Sequence, residues 1–250
     1  MSLDQIGKLA LFACLRFAQL ASDTLSETID MATLHTELTE DLLAYISSIS
    51  QPEPPAMKAL REKADTLQHA QWRATVPQAQ LIALLLKLTN ARRCIEVGTF
   101  VGYSTLRMAT SLPSDGKLVT CDIAEEFPAV GKPFWEMAGV AHLIDLRIGA
   151  AKSVLEQLLL EEGEGTFDAA FIDANKKEYL DYYETCLKLV RPSGLLVIDN
   201  VLWGGKVIDA HDTSKATTAI RQLNSLIRSD PRVEAVVLSF NDGLTIARKR

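Results

Sequence analysis

Four side chains in the second half of this 250-residue chain have the types and spacing for cation and proton-transfer chemistry. Asp173 stands three positions before Lys176 in Phe171-Ile172-Asp173-Ala174-Asn175-Lys176, and Asp199-Asn200 close a second apolar run. Asp173, Asp199 and Asn200 are oxygen donors with no thiol beside them. Hard donors of this kind suit Mg²⁺, Ca²⁺ or Mn²⁺ rather than zinc. A lysine held beside a cation, or desolvated, can serve as a base near neutrality, and Lys176 is placed for that role. Taken singly, Asp199-Asn200 also reads as a turn pair and Lys176 as a solvated side chain. Trp203, in Asn200-Val201-Leu202-Trp203-Gly204-Gly205, can wall a flat substrate.

A second constellation precedes these. Glu96-Val97-Gly98-Thr99-Phe100-Val101-Gly102-Tyr103-Ser104 follows a short apolar run and opens a helical pattern. A strand that stops in a glycine turn and enters a helix gathers backbone N–H groups and a positive dipole end at one spot. The spacing differs from G-x-G-x-x-G, the dinucleotide fingerprint. Asp122 ends the next strand-like run, where a carboxylate can accept hydrogen bonds from ribose hydroxyls.

The positioning elements alternate. Short apolar runs predict strands over 93–97, 117–123, 144–148, 167–173 and 195–200. Helical patterns separate them over 104–111, 127–138, 151–160 and 177–190. Helices are also expected over 1–33, 37–48, 57–70 and from Pro77 to Leu88. This alternation predicts an α/β fold, a parallel sheet covered on both faces. The tail reads as a helix over 213–229 and two strands, 233–240 and 244–248, joined by Asn241-Asp242-Gly243. An Asp-Gly turn predicts a hairpin, so the last strand runs antiparallel. Glu96, Asp122, Asp173 and Asp199 fall at strand C-terminal ends, where the ligand crevice of such a sheet lies. So much negative charge in one crevice calls for a cation, a cationic ligand, or both.

Composition narrows the class. A net charge of −6 argues against a broad nucleic-acid footprint. Cys14, Cys94, Cys121 and Cys186 form no C-x-x-C pair, so neither zinc nor redox chemistry is indicated, and a reducing cytoplasmic setting fits. No apolar run reaches the roughly 18 residues that span a bilayer. Residues 1–33 read as a helical extension and 34–250 as the domain proper.

With these residues in place, the chain resembles the cation-dependent O-methyltransferases: the plant caffeoyl-CoA O-methyltransferases and their bacterial relatives, with catechol O-methyltransferase a more distant cousin. The resemblance runs from about residue 37 to the C-terminus and also takes in Asp242-Gly243-Leu244-Thr245. It implies a Rossmann-like class I methyltransferase with a seven-stranded, mostly parallel sheet and an antiparallel last strand. It implies that Glu96, Gly98, Thr99, Phe100 and Ser104 bind S-adenosylmethionine, with Gly98 and Ser104 at its methionine end. Asp122 then meets the ribose and Ala151 the adenine. By the same resemblance Asp173, Asp199 and Asn200 are metal ligands, Mg²⁺ first among the candidates, Lys176 is the general base, and Asp173 also faces the cofactor. The family often has an aspartate where this chain has Asn175, which keeps an acceptor toward the cofactor but loses the charge. The plant enzymes have an asparagine where this chain has Gly204, so the acceptor need not be theirs. The family is typically homodimeric.

The reaction implied is methylation of one hydroxyl of a vicinal dihydroxy aromatic small molecule. An alternative acceptor is a 5-hydroxyuridine at the tRNA wobble position, with Lys58, Arg61, Lys63 and Arg73 as a local basic cluster. A catalytically dead scaffold or a nicotinamide dehydrogenase fits less well, given the intact polar residues and the missing dinucleotide fingerprint.

Overall fold

The computed structural model describes residues 36–250, so the helical extension expected over 1–33 lies outside the described residues. The chain divides into two compact units, one ending at Pro52 and one starting at Glu53. In the first, the described residues hold one helix, α1 (Glu40–Ile49), whose N-terminus is capped by the Thr39 hydroxyl accepting from Leu42 N at 3.3 Å.

The second unit is built on seven strands: β1 (Arg93–Val97), β2 (Lys117–Asp122), β3 (Ile144–Ile148), β4 (Phe167–Ile172), β5 (Val190–Asp199), β6 (Val233–Leu238) and β7 (Leu244–Lys249). Around them lie α2 (Pro55–Ala64), α3 (Val76–Leu88), α4 (Tyr103–Ala109), α5 (Glu126–Met137), α6 (Ala151–Glu162), α7 (Tyr179–Leu189) and α8 (Lys215–Ser229). The strand order is β3-β2-β1-β4-β5-β7-β6. The first five strands pair in parallel, and β7 runs antiparallel to both β5 and β6. The expected sheet and its antiparallel last strand are therefore present. The chain builds outward from β1 to β3 and then returns to place β4 beside β1. That reversal opens a crevice outside the C-terminal ends of β1 and β4.

Side-chain alternation explains why both faces need helices. Ile95, Val97, Ala170, Ile172, Leu196 and Ile198 face one core, packed by Leu155 and Leu158 of α6, the tyrosines of α7, and Ile220 and Leu223 of α8. Cys94, Ala169, Phe171, Leu195 and Val197 face the other, packed by Ile82 and Leu86 of α3 and Met108 of α4. Each large apolar side chain taken fully from water contributes about 1.5–3 kcal/mol, so neither face is stable bare. Cys94, Cys121 and Cys186 are buried free thiols within these cores.

Several boundaries differ from the sequence expectation, three of them for a clear local reason. The helix expected over 57–70 stops at Ala64, because Thr66 N and Leu67 N bond to Lys63 O and Ala64 O in tight turns and His69 takes a left-handed φ of 67°. The helix expected from 177 begins at Tyr179, after a 3₁₀ turn over Lys176–Glu178 capped by Asn175. Strand β5 starts at Val190 rather than 195, absorbing Ser193 (φ 64°) and Gly194 in a bulge against β4.

Candidate active site

A cavity of about 1200 Å³ opens at the C-terminal ends of the parallel strands. Every residue expected from the sequence to meet cofactor, cation or substrate lines it except Glu96. At one end, β1 runs into the turn from Gly98 to Gly102. Gly98 has φ 102°, and a Cβ there would sit 2.1 Å from the Asp173 carbonyl oxygen, so only glycine lets the ends of β1 and β4 close together. Asp173 N donates to Val97 O at 2.8 Å across the same gap. The backbone N–H groups of Thr99 and Phe100 donate to Asp122 Oδ2 at 3.1 and 2.8 Å, which ties the turn to the end of β2. Ser104 lies in the first turn of α4, and Ala151 opens α6, so two helix N-termini border this end.

Glu96 stands behind this wall, fully buried. Its Oε2 accepts from the hydroxyls of Thr105 and, at 2.6 Å, Thr120, while its Oε1 has no hydrogen-bond partner. Burial pushes its carboxyl up to about 7, against the opposing pull of the Ser104, Thr105 and Thr120 hydroxyls. A buried carboxylate with an unpaired oxygen beneath a glycine turn is a ready partner for a cationic group.

Beside this turn the cavity gathers the remaining polar residues. Lys176 Nζ lies 2.8 Å from Asp173 Oδ1, 4.9 Å from the Tyr179 ring centre and 6.0 Å from that of Trp203. Asp199, at the end of β5, is only 6% exposed, and Asn200 N donates to its Oδ1 at 2.8 Å. Burial and then the neighbouring Asp173 charge push Asp199 up to about 6, with Gln78, the Asn200 N–H and Lys176 acting in the other direction. Two acidic groups and an amide thus line one cavity, with Lys176 bonded to Asp173. Such a donor set, all oxygen and short of positive charge, fits a hard divalent cation. Asn175 lines the cavity while its Oδ1 caps the turn at Lys177 N.

Side chains that the sequence did not single out also reach the cavity. His69 stacks on Trp72 with ring centres 4.0 Å apart, and Phe127 packs at 4.9 Å on Phe100, which the sequence did single out, forming an aromatic wall. Stacked rings leave no periodic signature, so spacing could not find them. Gln78 belongs to the capping box that starts α3, a local signal that gave no hint of its place beside Asp199. Tyr179, fully buried beneath Lys176, reads in sequence as ordinary core.

Of the four basic residues that could form a nucleic-acid cluster, three are paired with acids: Lys58 with Glu62 at 3.9 Å, Arg61 with Glu53 at 2.8 Å and Arg73 with Asp65 at 3.2 Å. No helix among the described residues is long and apolar enough to cross a membrane.

Known proteins share this arrangement. Residues 47–250 match the O-methyltransferase family. Tricin synthase 1 of Oryza sativa subsp. japonica is 44% identical, over 79% of this chain and 82% of its own. Caffeoyl-CoA O-methyltransferase 1 of Arabidopsis thaliana is 37% identical, over 84% of this chain and 85% of its own. The O-methyltransferase TomG of Streptomyces achromogenes, solved in complex with S-adenosylmethionine, superposes with a TM-score of 0.77 at 31% identity, covering 85% of this chain and 99% of that one. The sheet, the crevice and these likenesses agree that the chain belongs to the S-adenosylmethionine-dependent O-methyltransferase family.

Proposed function

We propose that the enzyme is divalent-cation-dependent and methylates one hydroxyl of a vicinal dihydroxy aromatic small molecule. The observation that supports this reading is that Asp173, Asp199, Asn200 and Lys176 line the same cavity as the Gly98 turn, with Lys176 bonded to Asp173. When bound, S-adenosylmethionine supplies an electrophilic methyl group and the cation supplies a Lewis acid that acidifies adjacent hydroxyls.

The chain's own residues then have distinct tasks. Gly98, Thr99, Phe100, Ser104 and Ala151 shape the cofactor end, with Glu96 beneath it as a counter-charge. Asp122 accepts from the ribose. Asn175 offers a neutral acceptor. Asp173, Asp199 and Asn200 hold the cation, Mg²⁺ before Ca²⁺ or Mn²⁺. Lys176 Nζ, once it has released its own proton as the acceptor and cation enter, takes the proton of the hydroxyl that is methylated. Trp203 and the His69–Trp72 stack wall the aromatic ring and exclude water. By fixing the acceptor against the cofactor end, these walls would supply much of the remaining acceleration.

The ion-paired state of Arg61 and Arg73 favours a small-molecule acceptor over tRNA. A homodimer is part of the same proposal, and so is a reducing cytoplasm, which three buried free thiols fit. The test is Asp199→Ala. Turnover should vanish while S-adenosylhomocysteine still binds; full activity in that variant would remove the cation from the account.

A further inference from the structure

The hairpin between β6 and β7 ends in Asn241-Asp242-Gly243, and this tip is far from being a plain turn. Asp242 Oδ2 accepts from Asn200 Nδ2 at 3.2 Å, and its Oδ1 accepts from Gly204 N at 2.5 Å. The tip backbone adds two bonds to the same loop: Leu202 N donates to Asp242 O at 3.0 Å and Val201 N to Gly243 O at 3.2 Å. Gly243 has φ 83°, and a Cβ there would lie 2.4 Å from Leu202 Cγ, so the tip is pressed against the 201–204 loop. On the other side Asn241 Nδ2 donates to the Thr75 hydroxyl at 2.9 Å, at the start of the helix that carries Gln78 to Asp199. Both Asn241 and Asp242 line the cavity.

We infer that Asp242 is a positioning residue: it fixes which end of the Asn200 amide faces the site and anchors the Trp203 loop. An ionised carboxylate accepts hydrogen bonds and cannot donate them. The Asn200 side chain must therefore turn its NH₂ toward Asp242, and its Oδ1, the only end able to ligate a cation, is directed away from that contact. Asn200 itself has a left-handed φ of 56° and Trp203 one of 50°. Two departures of this kind within four residues need outside support to persist, and Asp242 touches both halves of that segment. Ligand-orienting partners of this sort typically change metal affinity by about 10–100-fold. The inference rests on the proposed cation reading and adds to it a residue that acts through Asn200 and the Trp203 loop.

Asp242→Asn tests it, since the shape is kept but an amide accepts at one end only. Mn²⁺ affinity is read by electron paramagnetic resonance, S-adenosylhomocysteine affinity by calorimetry, and folding by thermal melting. Asp199→Ala and Asn200→Ala serve as controls. The expected result is about 10–100-fold weaker Mn²⁺ binding in Asp242→Asn, with unchanged S-adenosylhomocysteine affinity and melting, and kcat restored when Mn²⁺ is raised to saturation. If the controls weaken Mn²⁺ binding and Asp242→Asn does not, the positioning role is wrong while the cation site stands. If Asp242→Asn loses Mn²⁺ affinity, S-adenosylhomocysteine affinity and melting temperature together, its role is structural and the inference fails. If neither control alters Mn²⁺ binding, the cation reading itself falls and takes this role with it.

Discussion

Glu96 offers a perturbation whose size follows from its surroundings. Its carboxyl is fully buried, has one unpaired oxygen, and is pushed up to about 7. In the unfolded chain the same group titrates near about 4.3. The folded state therefore holds a proton that the unfolded state has released between these two values, and stability falls as pH rises through that window. Below it the contribution is absent; above about 7 it reaches its full destabilising extent. Integrating the linkage relation between pH 5 and pH 8 gives about 2–3 kcal/mol of stability lost to Glu96 ionisation. Glu96→Gln keeps the shape and cannot ionise. Urea unfolding of both proteins at pH 5 and pH 8 isolates the effect, because constant packing costs and all other titrations cancel in the double difference. The variant should gain about 2–3 kcal/mol on the wild type as pH rises from 5 to 8. A difference that does not change with pH, or that moves the other way, would refute the claim that Glu96 is a buried acid paying for its ionisation.

Further outcomes follow from the same geometry. Gly98→Ala places a Cβ 2.1 Å from Asp173 O at φ 102°; strain and overpacking together should cost about 2–6 kcal/mol, read by chemical denaturation, with S-adenosylhomocysteine binding lost in calorimetry. Lys176→Met should lower kcat by about 10²–10⁴-fold while Mn²⁺ still binds, and a variant with wild-type kcat would remove the lysine from proton transfer. Because Asp199 is pushed up to about 6 and a cation must displace its proton, Mn²⁺ affinity should fall about tenfold per pH unit below that value. An affinity flat from pH 5 to pH 8 would exclude Asp199 as a ligand.

The alternation of strands and helices was legible because each parallel strand is buried on both faces and so reads as a short apolar run between turn residues. The carboxylates of the candidate site were legible as a group because they interrupt those runs at strand ends, at Glu96, Asp122, Asp173 and Asp199. What was not legible depends on contacts distant in sequence. Leu67 continues the helical apolar spacing, yet the chain leaves the helix at Ala64 and Leu67 packs instead against the core beneath α5. Arg191-Pro192-Ser193-Gly194 has turn chemistry, yet pairing with β4 draws it into β5 as a bulge. Asp242 stood in a motif that resemblance supplied without a task; its contact with Asn200 spans 42 positions and appears only in the folded chain. Glu96 is the reverse case, expected at the cofactor's edge and found behind the cavity wall.

The most direct test of the central claim is methyl transfer from S-adenosylmethionine to a panel of catechols, measured with Mg²⁺ and again after chelation. The account predicts turnover on a vicinal diol with Mg²⁺, none on the matching mono-hydroxy compound, and loss of turnover on chelation that added Mg²⁺ reverses. Undiminished turnover in excess chelator would contradict it, because Asp173, Asp199 and Asn200 would then have no cation to hold.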